Sequence, residues 1–348
     1  MNPELLKPLN SGWSKVSGRK MVYRRTESDG GIRRTFVDEY DLVLGRQTAE
    51  LAPYTPPTNF AQGANTLGPV VAAPDGGAWT PVLHGLVRFP ATGAPSLLTD
   101  SVETGKTMGV AFTADGRRHR QFVSGSSRGI DPLVIRVSST VGTNEPAPVV
   151  LESESQQTAF DGYPFFQVGQ TNTLVYLSRR SRVQKLVELP APPDAGVLVA
   201  VHPSAVLDRV FYDAVAMSDD GNIAAVSTVG PAFATRTLTM QSRDGTLSRV
   251  ITGLPRLTSL EFGEPGFLYC GAEDAAHVYR VELATGAVQT IELTSSSVPA
   301  DIQARLPQAL RHVVLPASGA TPERHLLYVI AGTSHSNRSV LVIRPSMP

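Results

Sequence analysis

The sequence predicts an all-β protein built from one antiparallel unit used many times, and three observations carry that reading. The stretch VFYDAVAMSDDGNIAAVSTVG, from Val210 to Gly230, is an apolar strand, a polar turn and a second apolar strand. It has relatives in MGVAFTADGRRHRQFVSGS from Met108 and GPVVAAPDGGAWTPVLHG from Gly68, each turning at Asp-Gly: Asp75-Gly76, Asp115-Gly116, Asp220-Gly221. A second hairpin motif follows at a regular distance in LVRFPATGAPSLLTD (Leu86), TLTMQSRDGTLSRVITG (Thr237) and VYRVELATGAVQTIEL (Val278), with Thr92-Gly93, Asp244-Gly245 and Thr285-Gly286 at the turns. Glycine supplies positive φ without steric cost and Asp bonds its own backbone, so these pairs close tight hairpins.

Two hairpins make a four-stranded unit. The units run 67–100, 108–152, 160–202, 209–254, 258–293 and 309–345, a period of about 40 to 50 residues that suits the blades of a β-propeller. The last unit shows three strands, LRHVVLPAS, HLLYVIAGT and SVLVIRP, and lacks a fourth. An unpaired terminal edge invites aggregation, so an N-terminal strand is expected to pair with it. KMVYRRTESDGGIRRTFVDEYDLVL, from Lys20, offers two candidates around Asp29-Gly30-Gly31. The fold expected is an all-β propeller of six four-stranded blades, or seven if residues 20–60 form an incomplete blade of their own. The domain division expected is an N-terminal basic arm with closing strands and a Pro-rich linker over 1–66, then the propeller over 67–348. Within the latter, SSSVPADIQARLPQALR (295–311) carries the one helix-like pattern, with Ile302, Leu306 and Leu310 at helical spacing and Pro307 ending or kinking it.

This recurrence resembles the β-propeller superfamily, in the manner of bacterial lactonase-like and surface-layer repeats, over about 67–345. The Trp-Asp dipeptide of the best-known repeat class is absent from the sequence. The resemblance implies the fold and brings no activity with it, because the fold hosts many unrelated functions.

Composition narrows the function classes. Of 348 residues 41% are hydrophobic and 18% charged, and 31 basic residues balance 31 acidic ones, so no global field draws the chain to nucleic acid or an anionic membrane. Cys270 is the sole cysteine, which excludes an internal disulfide and a Cys-based zinc site; it reads as a small buried hydrophobe. No window reaches the roughly 18 apolar residues of a membrane span, and MNPELLKPLNSGW has no leader-like apolar run. The expectation is a cytoplasmic protein or one incorporated into an assembled particle.

Blade topology decides which loops share a face. With strands A to D in order, the short A–B and C–D turns lie at one end of each sheet, and the B–C and D–A connections lie at the other. Binding residues concentrate on such longer, varied loops. The candidates on this loop side are Arg128, Asp131, Asp161, Tyr163, Arg179, Arg180, Glu273, Asp274, His335 and Asn337. GSSRG at 125–129 fits a nucleophile elbow around Ser127, yet strand-like IDPLVIRVSS follows where a helix is required. DSVETGKT from Asp100 ends like a phosphate loop but lacks its first glycine and the helix after it. PDGGAW, ending at Trp79, lacks the Ser and the spacing of a sialidase Asp-box. The seven histidines show no short-spaced pair of metal ligands, so no metal and no cofactor is expected.

The N-terminal arm is the more unusual feature. Lys15, Arg19, Lys20, Arg24, Arg25, Arg33 and Arg34 face only Glu27 and Asp29, with Trp13 and Tyr23 interleaved. Such an arm suits docking to an acidic protein surface better than nucleic acid, and equally suits an edge strand charged against aggregation. The function expected is a non-enzymatic protein-interaction scaffold in a larger assembly, such as a virus tail or an envelope machine. The alternatives are a glycan- or peptide-binding propeller and a lactonase- or hydrolase-type enzyme using the loop side.

Overall fold

A computed structural model of the chain describes the strands and helix named below, together with residues 30–31, 44, 55, 70, 73, 76–77, 90–95, 218, 253–255, 263–266, 273, 275–276, 283–287, 293–299, 305, 317–323 and 344–345. Its strands sort into seven four-stranded antiparallel sheets among these residues. The chain forms two compact units: Trp13–Arg209, and Val210–Pro348 together with Met1–Gly12.

In the unit over Trp13–Arg209, the first sheet is β2 (Ser14–Ser17), β3 (Lys20–Asp29), β4 (Ile32–Asp41) and β5 (Arg46–Tyr54). β6 (Val71–Ala72), β7 (Ala78–Val82), β8 (Gly85–Phe89) and β9 (Ser96–Thr99) form the next, then β10 (Lys106–Phe112), β11 (Arg118–Val123), β12 (Leu133–Ser138) and β13 (Val149–Val150). The last holds β14 (Phe166–Val168), β15 (Thr173–Leu177), β16 (Gln184–Glu188) and β17 (Ala200–Val201). In the other unit, β18 (Phe211–Met217), β19 (Ile223–Val229), β20 (Thr235–Gln241) and β21 (Leu247–Thr252) are followed by β22 (Leu257–Phe262), β23 (Phe267–Ala272), β24 (His277–Glu282) and β25 (Val288–Glu292). β26 (Leu306–Leu315), β27 (Arg324–Ser334) and β28 (Asn337–Ile343) complete it with β1 (Glu4–Leu9). Each of the six repeat units read from the sequence overlaps one sheet, the last supplying three of its four strands.

The fourth strand of the last sheet comes from the N-terminus, as its missing edge demanded, but its source is a correction. β1 pairs with β28, Glu4 opposite Val342 and Leu9 opposite Arg338. The two candidates after Lys20 instead pair with each other as β3 and β4, closed by a two-residue turn in which Gly30 and Gly31 both take positive φ (54° and 82°). Residues 14–54 thus hold a complete four-stranded sheet rather than a partial one.

The helix expected over 295–311 is a second correction. Only α1 (Ala300–Gln303) is helical. Leu306 and Leu310 belong to β26, which pairs with β27 through nine of its ten residues and so gives this backbone partners that a kinked helix could not. Pro307 sits beside a register shift between Pro307 and Ala309, where a missing N–H does least harm.

Neighbouring sheets pack face to face. Ala216, Leu238, Met240, Leu257, Leu260, Leu268, Cys270 and Val281 form one core between the sheets over 211–252 and 257–292. Tyr269, Val278, Ile291, Leu310, Leu327, Val329, Leu341 and Ile343 join a second core between the sheets over 257–292 and 306–343. Val22, Val37, Leu51, Ala78, Val87 and Phe89 do the same in the other unit. Full burial of each such Leu, Val or Ile contributes about 1.5–3 kcal/mol, so the alternation of apolar residues along the strands fixes their register. Cys270 is fully buried in its core, where burial pushes the thiol up. The first strands of consecutive sheets lie side by side: β18 against β22, and β22 against β26.

Candidate functional site

The sheets over 257–292 and 306–343 have two differently furnished ends. At the turn side, the β22–β23 turn carries Glu264, whose side chain is 1% exposed. Its carboxylate accepts the Tyr269 hydroxyl at 2.9 Å from each oxygen, and Arg280 donates through Nε at 2.9 Å and Nη2 at 2.6 Å. Arg280 lies 3.4 Å over the Phe267 ring. Burial and then the Glu264 charge push the Tyr269 hydroxyl far above its ordinary value, so it stays a donor. Gly263 is required here because a Cβ would drive into the Tyr269 ring.

Across from this turn, His312 on β26 faces His325 on β27. Their nitrogens Nε2 and Nδ1 are 3.0 Å apart, with ring centroids 5.1 Å apart and planes at 20°. That spacing is the nitrogen gap plus two ring radii, so the imidazoles meet edge to edge in one N–H···N bond. Glu323 Oε1 lies 3.1 Å from His325 Nε2 and accepts its proton, which leaves His325 Nδ1 to accept from His312 Nε2. Burial first, then His325, lowers His312 to about 4; Glu264 opposes that shift and Arg311 adds to it. Glu261 Oε1 ties the strands together, accepting from the His312 backbone at 3.0 Å and from Arg311 Nη1 at 3.2 Å. The other unit has a counterpart: Trp79 pairs across the strands with Arg88 as Tyr269 does with Arg280, and Arg118, opening β11, stacks 4.5 Å from the Trp79 ring. These clusters join sheet to sheet.

The loop side is different. β10, β18, β22 and β26 each carry a register shift near their start, which leaves Met108, Asp213, Thr258 and Gln308 as extra residues. Bulges at this point bend the strand and re-aim side chains. Three of the four belong to adjacent strands, and those three are polar. Beside them Ser259 Oγ and Gln308 Oε1 are buried without a hydrogen-bond partner, although Gln308 Nε2 donates to the Gly332 carbonyl at 3.2 Å. Arg305 is held at the same end by the connection before β26. Val298 and Ile302 plug the core, Gln303 Nε2 donates to the Ser295 and Val298 carbonyls at 3.0 and 2.7 Å, and the Arg305 amide donates to the Ile302 carbonyl.

Of the ten loop-side candidates, Arg128, Asp131, Asp161, Tyr163, Arg179, Arg180, Asp274 and His335 lie outside the described residues. Glu273 is half-buried in the β23–β24 connection, and Asn337 opens β28 opposite Ser334. On that connection's far side His277 Nε2 lies 2.7 Å from Glu292 Oε2. The basic arm needs correction where it is described. Tyr23 and Arg24 are buried in β3, with the Tyr23 hydroxyl donating to Gln47 Oε1 at 3.4 Å, and so are not offered to a partner. Lys20 is exposed but paired with Glu39 at 2.9 Å, and Arg34 is exposed. Arg25 and Arg33 lie within β3 and β4, while Trp13 and Arg19 fall outside the described residues. The sequence reading missed the bulges, although a signal existed: Gly109, Ala214 and Ser259 each stand seven residues before a turn glycine, Gly116, Gly221 and Gly266.

Neither a family model nor a curated protein matches this sequence. Solved structures do. The WD40 repeats of RRP9 align with 99% of this chain and 97% of theirs at 10% identity and a TM-score of 0.57. The β-propeller domain of Myceliophteria thermophila Cps50 (Swd1) aligns over 97% and 100% at 10% identity and 0.51. The fold is a β-propeller. Virginiamycin B lyase from Staphylococcus aureus, solved with quinupristin, has the same likeness, covering 98% of this chain and 100% of its own at 13% identity and 0.55. WD40 repeats and a lyase share this fold, and a fold does not fix a function. Among the described residues no group of three His, Cys, Asp or Glu side chains is arranged to hold a metal ion, and no helix is long and apolar enough to cross a membrane.

Proposed function

We propose that the protein is a non-catalytic interaction scaffold whose binding surface is the loop side, the seven sheets being read as seven blades. The observation that carries this reading is the contrast between the two ends of the sheets over 257–343. The turn-side carboxylates and imidazoles are consumed by one another. At the loop side Ser259 Oγ, Arg305 Nε and Gln308 Oε1 have no acceptor or donor among the described residues. A buried polar group is costly unless it is hydrogen-bonded, and a bound partner is the means by which a binding surface meets that cost. Such a surface would suit a component of a larger assembly, a virion or an envelope machine among them.

The test is site-specific photo-crosslinking in the organism that makes the protein, with the photoreactive residue placed at Glu273 on the loop side or at Thr285 in the β24–β25 turn. The expected result is a discrete adduct with another polypeptide from position 273 and none from 285. Equal adducts from both positions, or turnover of lactones or glycosides by the purified chain, would overturn the scaffold reading.

A further inference from the structure

Arg305 is a buried cation whose counter-charge stands in water. The residue is 7% exposed, while the Asp301 side chain is 73% exposed and meets Arg305 Nη2 only at 3.5 Å. An ion pair with one partner in solvent does little to offset the desolvation of the other. Nη1 donates to the neutral Ser339 Oγ at 2.6 Å, and Nε has no partner. The guanidinium therefore has one corner anchored on Ser339 and an edge held only by the long contact to Asp301. Nε and Nη2 share that edge, and its two parallel N–H groups match the two oxygens of a carboxylate side-on. Ser339 on β28 and the tether to Ile302 hold the fork from behind. At the same end of the sheet Gln308 has its amide nitrogen fixed on Gly332 and its oxygen open, an acceptor waiting for an N–H.

We propose that the Nε/Nη2 edge of Arg305 is a carboxylate-binding subsite, and that Asp301 is an internal placeholder which an incoming carboxylate displaces. A carboxylate for Arg305 and an N–H for Gln308 are both carried by a polypeptide with an acidic residue, the first in its side chain and the second in its backbone amides, so the ligand assigned is an acidic peptide segment. This inference rests on the scaffold reading and names its chemistry. It is separate from the closed turn-side cluster and uses none of its residues.

The test is two-dimensional NMR of the arginine Nε–Hε resonances of the full chain, titrated with acetate and with an acetylated, amidated Gly-Glu-Gly peptide. Arg305→Lys assigns the resonance; Asp301→Asn, a change at an exposed residue, supplies a second variant that leaves the fold in place. Both probes are expected to shift the Arg305 resonance saturably. Asp301→Asn is expected to tighten acetate binding by about 1.4- to 5-fold, the gain from removing an exposed competing ion pair. A shift with acetate and none with the peptide supports the subsite and removes the polypeptide ligand from it. No shift with either probe overturns the subsite and leaves the scaffold reading to its own crosslinking result. An unchanged affinity in Asp301→Asn overturns the placeholder role.

Discussion

The same strands of the sheets over 257–292 and 306–343 end in opposite chemistry. Toward their turns, Glu264, Tyr269, Arg280, His312, His325 and Glu323 are ordered by donor-to-acceptor matches; of the turn-side groups described, the Nε of Arg311, on a side chain 38% exposed, has no partner. Toward their loops, Ser259, Arg305 and Gln308 are equally buried in atoms but left with valences open. Polar groups that satisfy one another add to stability, whereas polar groups buried without partners subtract from it and persist where function needs them. In these two sheets one end thus joins sheet to sheet, and the other is the end that the scaffold reading proposes for recognition.

Substitutions at the two ends should move stability in opposite directions. Glu264→Ala strips Arg280 and Tyr269 of their acceptor in a buried setting, and urea unfolding should show a loss of about 3–5 kcal/mol. A loss below about 1 kcal/mol would mean that the turn-side network is not what joins these sheets. The pH dependence is the intermediate effect. His312 titrates at about 4 in the folded chain against 6.5 ordinarily, so the unfolded state binds more protons between those values. Stability is therefore full above pH 6.5 and falls as the pH drops from 6.5 toward 4, and His312→Gln should flatten that limb of a stability–pH curve. An unaltered curve would show that burial beside His325 does not keep His312 neutral. Smallest of all, Ser259→Ala removes a buried hydroxyl that has no partner, and unfolding should be unchanged or up to about 1 kcal/mol more favourable to the native state. A loss larger than that would place Ser259 inside a closed network and erase the contrast.

Much of the fold was legible because hairpins announce themselves twice, through apolar alternation and through the turn glycine. The last unit was read as short of one strand, and β1 supplies it. ELLKPL escaped notice because Pro8 and Lys7 break the alternation within six residues. The helix read into 295–311 failed for a related reason. The bulge at Gln308 interrupts the in-out alternation of β26, where Pro307, Leu310, Val313 and Leu315 are buried, and Ile302, Leu306 and Leu310 fall four apart although α1 ends before β26 begins. The basic arm was read from charge alone, and charge does not tell that Arg24 faces inward on β3. The loop-side residues read as candidates came from connections, while the open groups sit on strand starts and in the link before β26. Open valence is a property of what surrounds an atom, and Ser259 or Gln308 looks no different in a sequence from a solvated residue of the same type.

The pairing of Glu4–Leu9 with Asn337–Ile343 also sets the order of events during synthesis. β1 must wait, unmatched, until the ribosome has delivered β28. Every earlier sheet has all four of its strands in hand before then, and contacts this distant in sequence are slow to form. A chain stopped just before β28 therefore leaves β1 and one edge of β27 without a partner strand, and these are the edges that a chaperone would have to shield.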